Sequence, residues 1–317
     1  MPQPKIVIVT PAAAKSRSGN RNTATRWARI LRGLGCRVTI ATEWQGERAD
    51  LMVALHALRS HASLKAFHAA YPEKPAILAL TGTDLYRDLP HSIAARESLR
   101  LASRLVVLQA AALDELTPAQ RQKTRVIHQS EIAHYPWQPV RRTVRFCVLG
   151  HLREEKDSFR AALALGYLKE APALQIVQAG RALSSGMSEQ ALCLQRAELR
   201  YRWLGEVPHW RALRLLTSSH AMIISSRMEG GAHVVSEAIA HGVPVIASDI
   251  PGNRGLLGDD YPGYFPAGDE RALAKIIQRV MAGEACLKKL WQAVIKRRPL
   301  IAPQREIEAW RALLSEL

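Results

Sequence analysis

Short apolar runs alternate with amphipathic helical patterns along the whole 317-residue chain. No other feature limits the possible folds as much. In the first half, residues 6–9, 38–41, 51–55, 76–80, 105–108 and 126–128 form such runs. A strand that is apolar on consecutive positions is buried on both faces, which predicts a parallel sheet with helices on either side. Helical segments fit between the runs: across 23–34, Ala24, Trp27, Ala28 and Leu31 share one face. The second half repeats this grammar, with strands expected at 144–149, 174–179, 221–225 and 243–247. Its helices are expected through 159–168, 188–199, 210–217, 232–241 and 270–281.

The predicted fold class is therefore α/β, with two doubly wound, Rossmann-like parallel-sheet domains. Residues 130–142 hold Tyr135-Pro136-Trp137 and Pro139 and no helical period, so the linker is placed there. The expected division is an amino-terminal domain at 1–140 and a carboxyl-terminal domain at 143–298. A final helix at 299–317, with Ile307, Trp310 and Leu314 aligned, is expected to pack back on the first domain. Doubly wound sheets bind ligands outside the carboxyl ends of their strands, so the expected site is a central cleft that both sheets face.

Composition excludes several classes. With 48 % hydrophobic residues the chain is not disordered, and no apolar run approaches the ~20 residues that span a bilayer. Residues 1–4 show no secretory pattern, and Cys36, Cys147, Cys193 and Cys286 lack metal-ligand spacing. They read as buried thiols of a cytoplasmic protein. The formal charge is +16, and 1–142 carries 21 basic against 10 acidic side chains. Nucleic acid, small anionic substrates and solvated arginines all fit that excess. The arginines are scattered and no nucleic-acid module is present, so no nucleic-acid partner is expected.

Four segments carry candidate chemistry. The most specific runs from Glu229-Gly230-Gly231-Ala232-His233 through Glu237-Ala238 to Gly242-Val243-Pro244-Val245-Ile246-Ala247-Ser248-Asp249. Two carboxylates with seven residues between them, Glu229 and Glu237, suit two hydroxyl-rich parts of a ligand. The glycine pair permits close approach of a ligand, and the following helix start offers amides to an anion. The second is Gly150-His151-Leu152-Arg153-Glu154-Glu155-Lys156-Asp157, directly after a strand. The third is a polar loop, Thr10-Pro11 and then Ser18-Gly19-Asn20-Arg21-Asn22-Thr23, suited to an anion or to an ordinary turn. It is neither a GxGxxG nor a P-loop, so NAD and ATP sites lose their support. The fourth is Thr81-Gly82-Thr83-Asp84, where Asp84 either lines an acceptor pocket or caps the next helix. His56 and Arg59 after the 51–55 run, and Gln129-Ser130, stand at comparable strand ends. Asp259-Asp260 lacks Asp-x-Asp spacing, so no metal is expected.

The 144–283 segment resembles the nucleotide-sugar domain of GT-B glycosyltransferases of the retaining family numbered 4. Gly205, Pro251-Gly252-Asn253 and Gly268-Asp269 extend the match. The resemblance implies that Glu237 binds the ribose of a nucleoside diphosphate. Glu229 would meet the donor sugar, supported by amides around Gly230, Gly231, Ala232 and His233. It makes Lys156 a clasp on the diphosphate. His151 stands where that family has an arginine, and Arg153 is the nearest replacement.

The amino-terminal segments, joined to Gly150–Arg153 and Gly230–Glu237, resemble the selenosugar synthases of selenoneine biosynthesis. That resemblance implies transfer of N-acetylglucosamine or glucose from a UDP-sugar to selenophosphate, without cofactor or metal. The acceptor would lie against Gly19, Asn20, Thr23, His56, Arg59, Thr81, Gly82, Thr83 and Asp84. It also implies functional coupling to other enzymes of that pathway. A lipid or glycan acceptor is the alternative, since 23–33 is basic and amphipathic (Arg26, Arg29, Arg32), although no membrane partner is expected.

Overall fold

The structure is a computed structural model that describes residues 3–14, 18–168, 171 and 173–317. Residues 15–17, in the middle of the expected polar loop, lie outside it, as do Met1 and Pro2 of the amino-terminal stretch. The chain forms two compact units. Unit 1 comprises 1–130, 229–231 and 303–317, and unit 2 comprises 131–228 and 232–302. The division falls at Ser130–Glu131, upstream of the expected boundary near 140. The reason is visible in unit 2, where the Trp137 indole N–H donates to the Ser219 carbonyl at 2.8 Å and the Gln138 amide to Thr217 at 2.9 Å.

In unit 1, β1 (Lys5–Val9), β2 (Arg37–Ala41), β3 (Leu51–Leu55), β4 (Ala76–Leu80), β5 (Arg104–Val107) and β6 (Thr124–Val126) make a parallel sheet in the order β2-β1-β3-β4-β5-β6. Alternate residues feed opposite faces. Val7 and Val9 join Leu64, Phe67 and Leu99, whereas Ile6 and Ile8 join Trp27, Leu31 and Trp310. The first face is covered by α2 (His61–Ala70) and α4 (Ile93–Leu101), with the one-turn α3 (Leu89–His91) between β4 and α4. α1 (Gly19–Gly33) lies on the second face, and the short α5 (Pro118–Gln122) precedes β6.

Unit 2 holds β7 (Val144–Leu149), α6 (Arg160–Ala164), β8 (Leu174–Ala179), α7 (Ser185–Ala197), β9 (Tyr201–Trp203), α8 (His209–Thr217), β10 (Ala221–Ile224) and α9 (His233–His241). It continues with β11 (Val245–Ser248), α10 (Pro251–Leu257), β12 (Tyr264–Phe265), α11 (Glu270–Ala282) and α12 (Glu284–Lys296). The sheet order is β12-β11-β10-β7-β8-β9, again parallel.

The last helix, α13 (Pro303–Ser315), belongs to unit 1. Trp310 meets Trp27 edge to face at 4.9 Å, a geometry that adds about 0.5–1.5 kcal/mol beyond burial. Buried Glu306 accepts hydrogen bonds from the Trp27 indole at 3.1 Å and the Ser130 amide at 2.9 Å, and Arg26 stands 3.6 Å away. Sequence periodicity did not mark Glu306, because a carboxylate on an amphipathic helix reads as solvated.

Several expectations are corrected. Helix α1 starts at Gly19, so Gly19–Thr23 is helical and not a loop. Gly and Asn have poor helix propensity, but burial of Thr23, Ala24 and Trp27 overrides it. The last strand of unit 1 is 124–126, ahead of the expected 126–128, and β11 starts at Val245, after Pro244. Helix α12 was not expected. Cys36 and Cys147 are buried, but Cys193 is exposed and Cys286 half-buried. Among the described residues no helix is long and apolar enough to cross a membrane.

Candidate active site

In each sheet the chain winds first to one side of the opening strand and then to the other, leaving a crevice at the strands' carboxyl ends. In unit 2 this point lies between β7 and β10. The loop after β7 makes a 3₁₀ turn, Glu154–Lys156, with Arg153 at its start and Asp157 left-handed at its end (φ +44°). The Ser158 hydroxyl fixes the turn, accepting from the Arg153 amide at 3.2 Å. The loop after β10 is tied to it: the Arg227 amide donates to the Glu155 carbonyl at 2.8 Å, and the Ser225 hydroxyl to Asp157 at 2.9 Å. Lys156 and Arg153 are thus presented, half-buried, on a braced loop at the crevice. Arg227, more than half exposed, adds a third cation there.

Beside them, Gly180 approaches Gly150 so closely that a Cβ on Gly180 would stand 1.8 Å from the Gly150 carbonyl oxygen. His151 Nδ1 accepts the Arg181 amide at 3.2 Å. The Gly205 carbonyl accepts from Gly180 N–H at 2.8 Å. A cavity of 480 Å³ opens here, lined by Arg181, Ser184, Ser188, Trp203, Gly205 and Glu206 among others.

Glu237 lies one turn into α9 and is buried. Burial alone would raise its pKa, but His209 Nε2 at 2.7 Å and His233 Nδ1 at 3.4 Å outweigh burial and hold the carboxylate ionised, with a pKa of about 2. His233 Nε2 faces Glu131 at 3.3 Å. Glu131, His233 and Glu237 offer ligand atoms within 4.8 Å of one another. At the start of α9, Ala232 has no side chain with which to cap the first-turn amides.

In unit 1 the crevice lies between β1 and β3. Helix α1 reaches it with no side-chain cap and no acidic residue in its first turn. Gly19 is exposed with open space around it, Asn20 is half-buried, and the Thr23 hydroxyl is buried against Gln129 Nε2 at 2.6 Å. His56 follows β3 in a left-handed conformation (φ +78°), which costs a residue with a Cβ about 1–2 kcal/mol. Its ring is buried, and burial pulls its pKa below the ordinary value against the pull of Asp84 and Asp88. The Arg59 side chain is exposed.

Asp84 is fully buried and opens a π-helical turn, Asp84–Asp88. One oxygen accepts the Thr81 and Gly82 amides, both at 2.8 Å, and the other the Ala57 amide at 2.9 Å. This buried carboxylate therefore binds the turns after β3 and β4 to each other.

The glycine pair of the long motif is also demanded by packing within unit 1. The 229–231 segment packs within unit 1, and a Cβ on Gly230 would stand 2.4 Å from the carbonyl of Thr81. One on Gly82 would be 2.7 Å from the Gly230 nitrogen, and one on Gly231 2.6 Å from the Leu108 Cβ. The close approach that demands glycine is made by the chain's own backbone. Glu229 is buried at the start of this segment.

The family model for glycosyl transferases group 1 matches residues 137–297, half of the chain. The chain belongs to the group 1 glycosyl transferases. Solved structures agree in fold. HepE of Anabaena, in complex with UDP and glucose, matches with a TM-score of 0.79 at 16 % identity, covering 99 % of this chain and all of that one. Sucrose-phosphate synthase of Thermosynechococcus elongatus matches at 0.78 and 16 %, covering both chains fully. A glycosyltransferase of Rickettsia africae matches at 0.74 and 14 %, covering 99 % and 100 %. No curated protein sequence matches.

This group 1 glycosyl transferase is an enzyme with the GT-B fold of two Rossmann-like domains. Four of its polar groups at the crevices escaped the sequence reading. Arg181 and Arg227 each follow a strand end and were findable by position. His209 and Glu131 reach Glu237 and His233 only through folding, so nothing in the linear spacing announced them.

Proposed function

We propose that this glycosyl transferase moves N-acetylglucosamine or glucose from a UDP-sugar to selenophosphate. The observation that carries the acceptor half is the β1/β3 crevice of unit 1. There a fifteen-residue helix begins without acidic residue or side-chain cap, and the neighbouring strand β3 is followed by His56 and the exposed Arg59. First-turn amides without a side-chain cap, and a guanidinium, suit a small anion. A membrane-facing role for α1 draws less support, because Arg26 bonds to Ser130 and Arg32 to the Val38 carbonyl.

On the donor side, Lys156 with Arg153 faces the diphosphate, and ionised Glu237 takes the ribose hydroxyls. The base occupies the cavity lined by Arg181, Trp203 and Gly205. Glu229, with the amides of Ala232 and His233, meets the sugar. Selenium forms a bond to C1 as the bond from C1 to the diphosphate oxygen breaks and UDP leaves with the electron pair. Cations fixed at the leaving group stabilise the charge that develops there. The selenium is already anionic, so no general base is needed for attack. Water then cleaves the selenium–phosphorus bond, giving a 1-seleno sugar and phosphate.

The test incubates the protein with UDP-N-acetylglucosamine or UDP-glucose, with and without selenophosphate, and follows UDP and selenium-bearing products by mass spectrometry. The expected result is a product that requires selenophosphate. UDP release with no such product overturns the acceptor assignment.

A further inference from the structure

We propose that His56 is a positioning residue that holds the Thr83 hydroxyl as a hydrogen-bond donor for an anionic oxygen of the acceptor. This rests on the reading of unit 1 as the part that takes a small oxyanion.

The hydrogen-bond inventory of the ring leaves one consistent arrangement. His56 Nδ1 lies 3.3 Å from the Arg59 amide, which can only donate, so Nδ1 carries a lone pair. The proton of the neutral ring is then on Nε2, which stands 3.1 Å from Thr83 Oγ1. This assignment follows from the network around the ring. With that proton in place, His56 is not a base toward Thr83, and a nucleophilic threonine is ruled out. Thr83 Oγ1 accepts from the ring, so its own hydrogen points elsewhere. No hydrogen bond uses that hydrogen among the described residues, and Thr83 is half-buried, not sealed. Asp88 is 3.7 Å from Nε2, beyond hydrogen-bond reach, and its carboxylate is paired with Arg87 at 2.9 Å.

The surrounding backbone is built to keep this hydroxyl still. His56 and Thr83 sit on the turns after adjacent strands, and Asp84 binds both turns through three amides. The left-handed backbone at His56 makes the same point. Glycine or asparagine would adopt it with less strain, so retention of a buried imidazole there calls for a use of the ring. A hydroxyl with a fixed direction, beside the exposed Arg59, suits a phosphoryl-type oxygen.

The test uses the full chain and three variants: Thr83→Val, Thr83→Ser and His56→Gly. Orthophosphate binding is read by ³¹P NMR, and KM and kcat by UDP-sugar-dependent transfer to selenophosphate. Thr83→Val is expected to weaken orthophosphate binding and raise the selenophosphate KM about tenfold, with the UDP-sugar KM unchanged. Thr83→Ser restores both. His56→Gly keeps the left-handed backbone without the ring, and once shown to be folded is expected to bind orthophosphate as weakly as Thr83→Val. The proposal is overturned if Thr83→Val binds orthophosphate like the natural chain, or if Thr83→Ser fails to restore it. It is equally overturned if folded His56→Gly binds normally. Should His56→Gly fail to fold, His56→Asn, which also tolerates the left-handed backbone, takes its place with the same expected and overturning results. Orthophosphate binding that depends on Thr83, without any selenium product, refutes the acceptor assignment and upholds this inference.

Discussion

The two crevices are built from different materials. In unit 2 the carboxyl edge presents charged side chains: Lys156, Arg153 and Arg227 on braced loops, and the ionised Glu237 on α9. In unit 1 the corresponding edge is made of close backbone contacts, amides held by Asp84, and a neutral, buried His56. Charge can be delivered by flexible side chains, because Coulomb attraction tolerates small displacements. Amide and hydroxyl donors act only over hydrogen-bond distance, so an edge that relies on them must fix its backbone. The glycine contacts at 82 and 230 and the left-handed His56 follow from that requirement.

If this contrast holds, substitutions at the two edges fail in different ways. The largest effect is expected for Lys156→Ala: removing a cation from the leaving group should lower kcat about 10²–10³-fold with the melting temperature unchanged. Steady-state kinetics beside a thermal melt checks this, and full activity would break the assignment of charge to unit 2.

Acid should act next. The Glu237 pKa is depressed from the ordinary 4.5 to about 2. Its stabilisation is therefore fully present above about 4.5 and is lost as pH falls towards 2, on the order of 3 kcal/mol by linkage. Denaturant unfolding between pH 5 and pH 2 should show a flatter curve for Glu237→Gln than for the natural chain. Parallel curves would mean that the histidines do not hold this carboxylate.

The smallest effect sharpens the unit 1 side. Gly230→Ala drives a methyl into the Thr81 carbonyl and should cost about 1–3 kcal/mol of stability. UDP affinity, measured calorimetrically, should stay unchanged. Unaltered stability with lost UDP affinity would return the glycine pair to the ligand-facing role that the motif alone suggested.

Much of this was legible before folding. Continuous apolar strands such as 51–55 and 76–80 fit only a sheet buried on both faces, and that requirement set the fold class. Lys156, Arg153 and His56 follow strand ends, and in a parallel sheet every such end lies on one side, so their place at the carboxyl edges was readable from chain order. The motif from Glu229 to Asp249 lies within the 137–297 stretch that the glycosyl transferase family model matches. Less legible were groups whose meaning depends on a distant partner. Asp84 looked like a cap or a pocket wall, and only the approach of the Ala57 amide made it a brace.

By itself, then, the sequence determined the layered α/β architecture, its repetition and which polar residues follow strand ends, because hydrophobic periodicity and chain order act locally. Tertiary structure alone decided what each polar group is for. It brought His209 to Glu237, Thr83 to His56 and Glu306 to Ser130 across 28, 27 and 176 residues. The physical reason is that protonation state and hydrogen-bond direction depend on distances of a few ångströms. Chain spacing carries no information about such distances once the partners lie on different strands and helices.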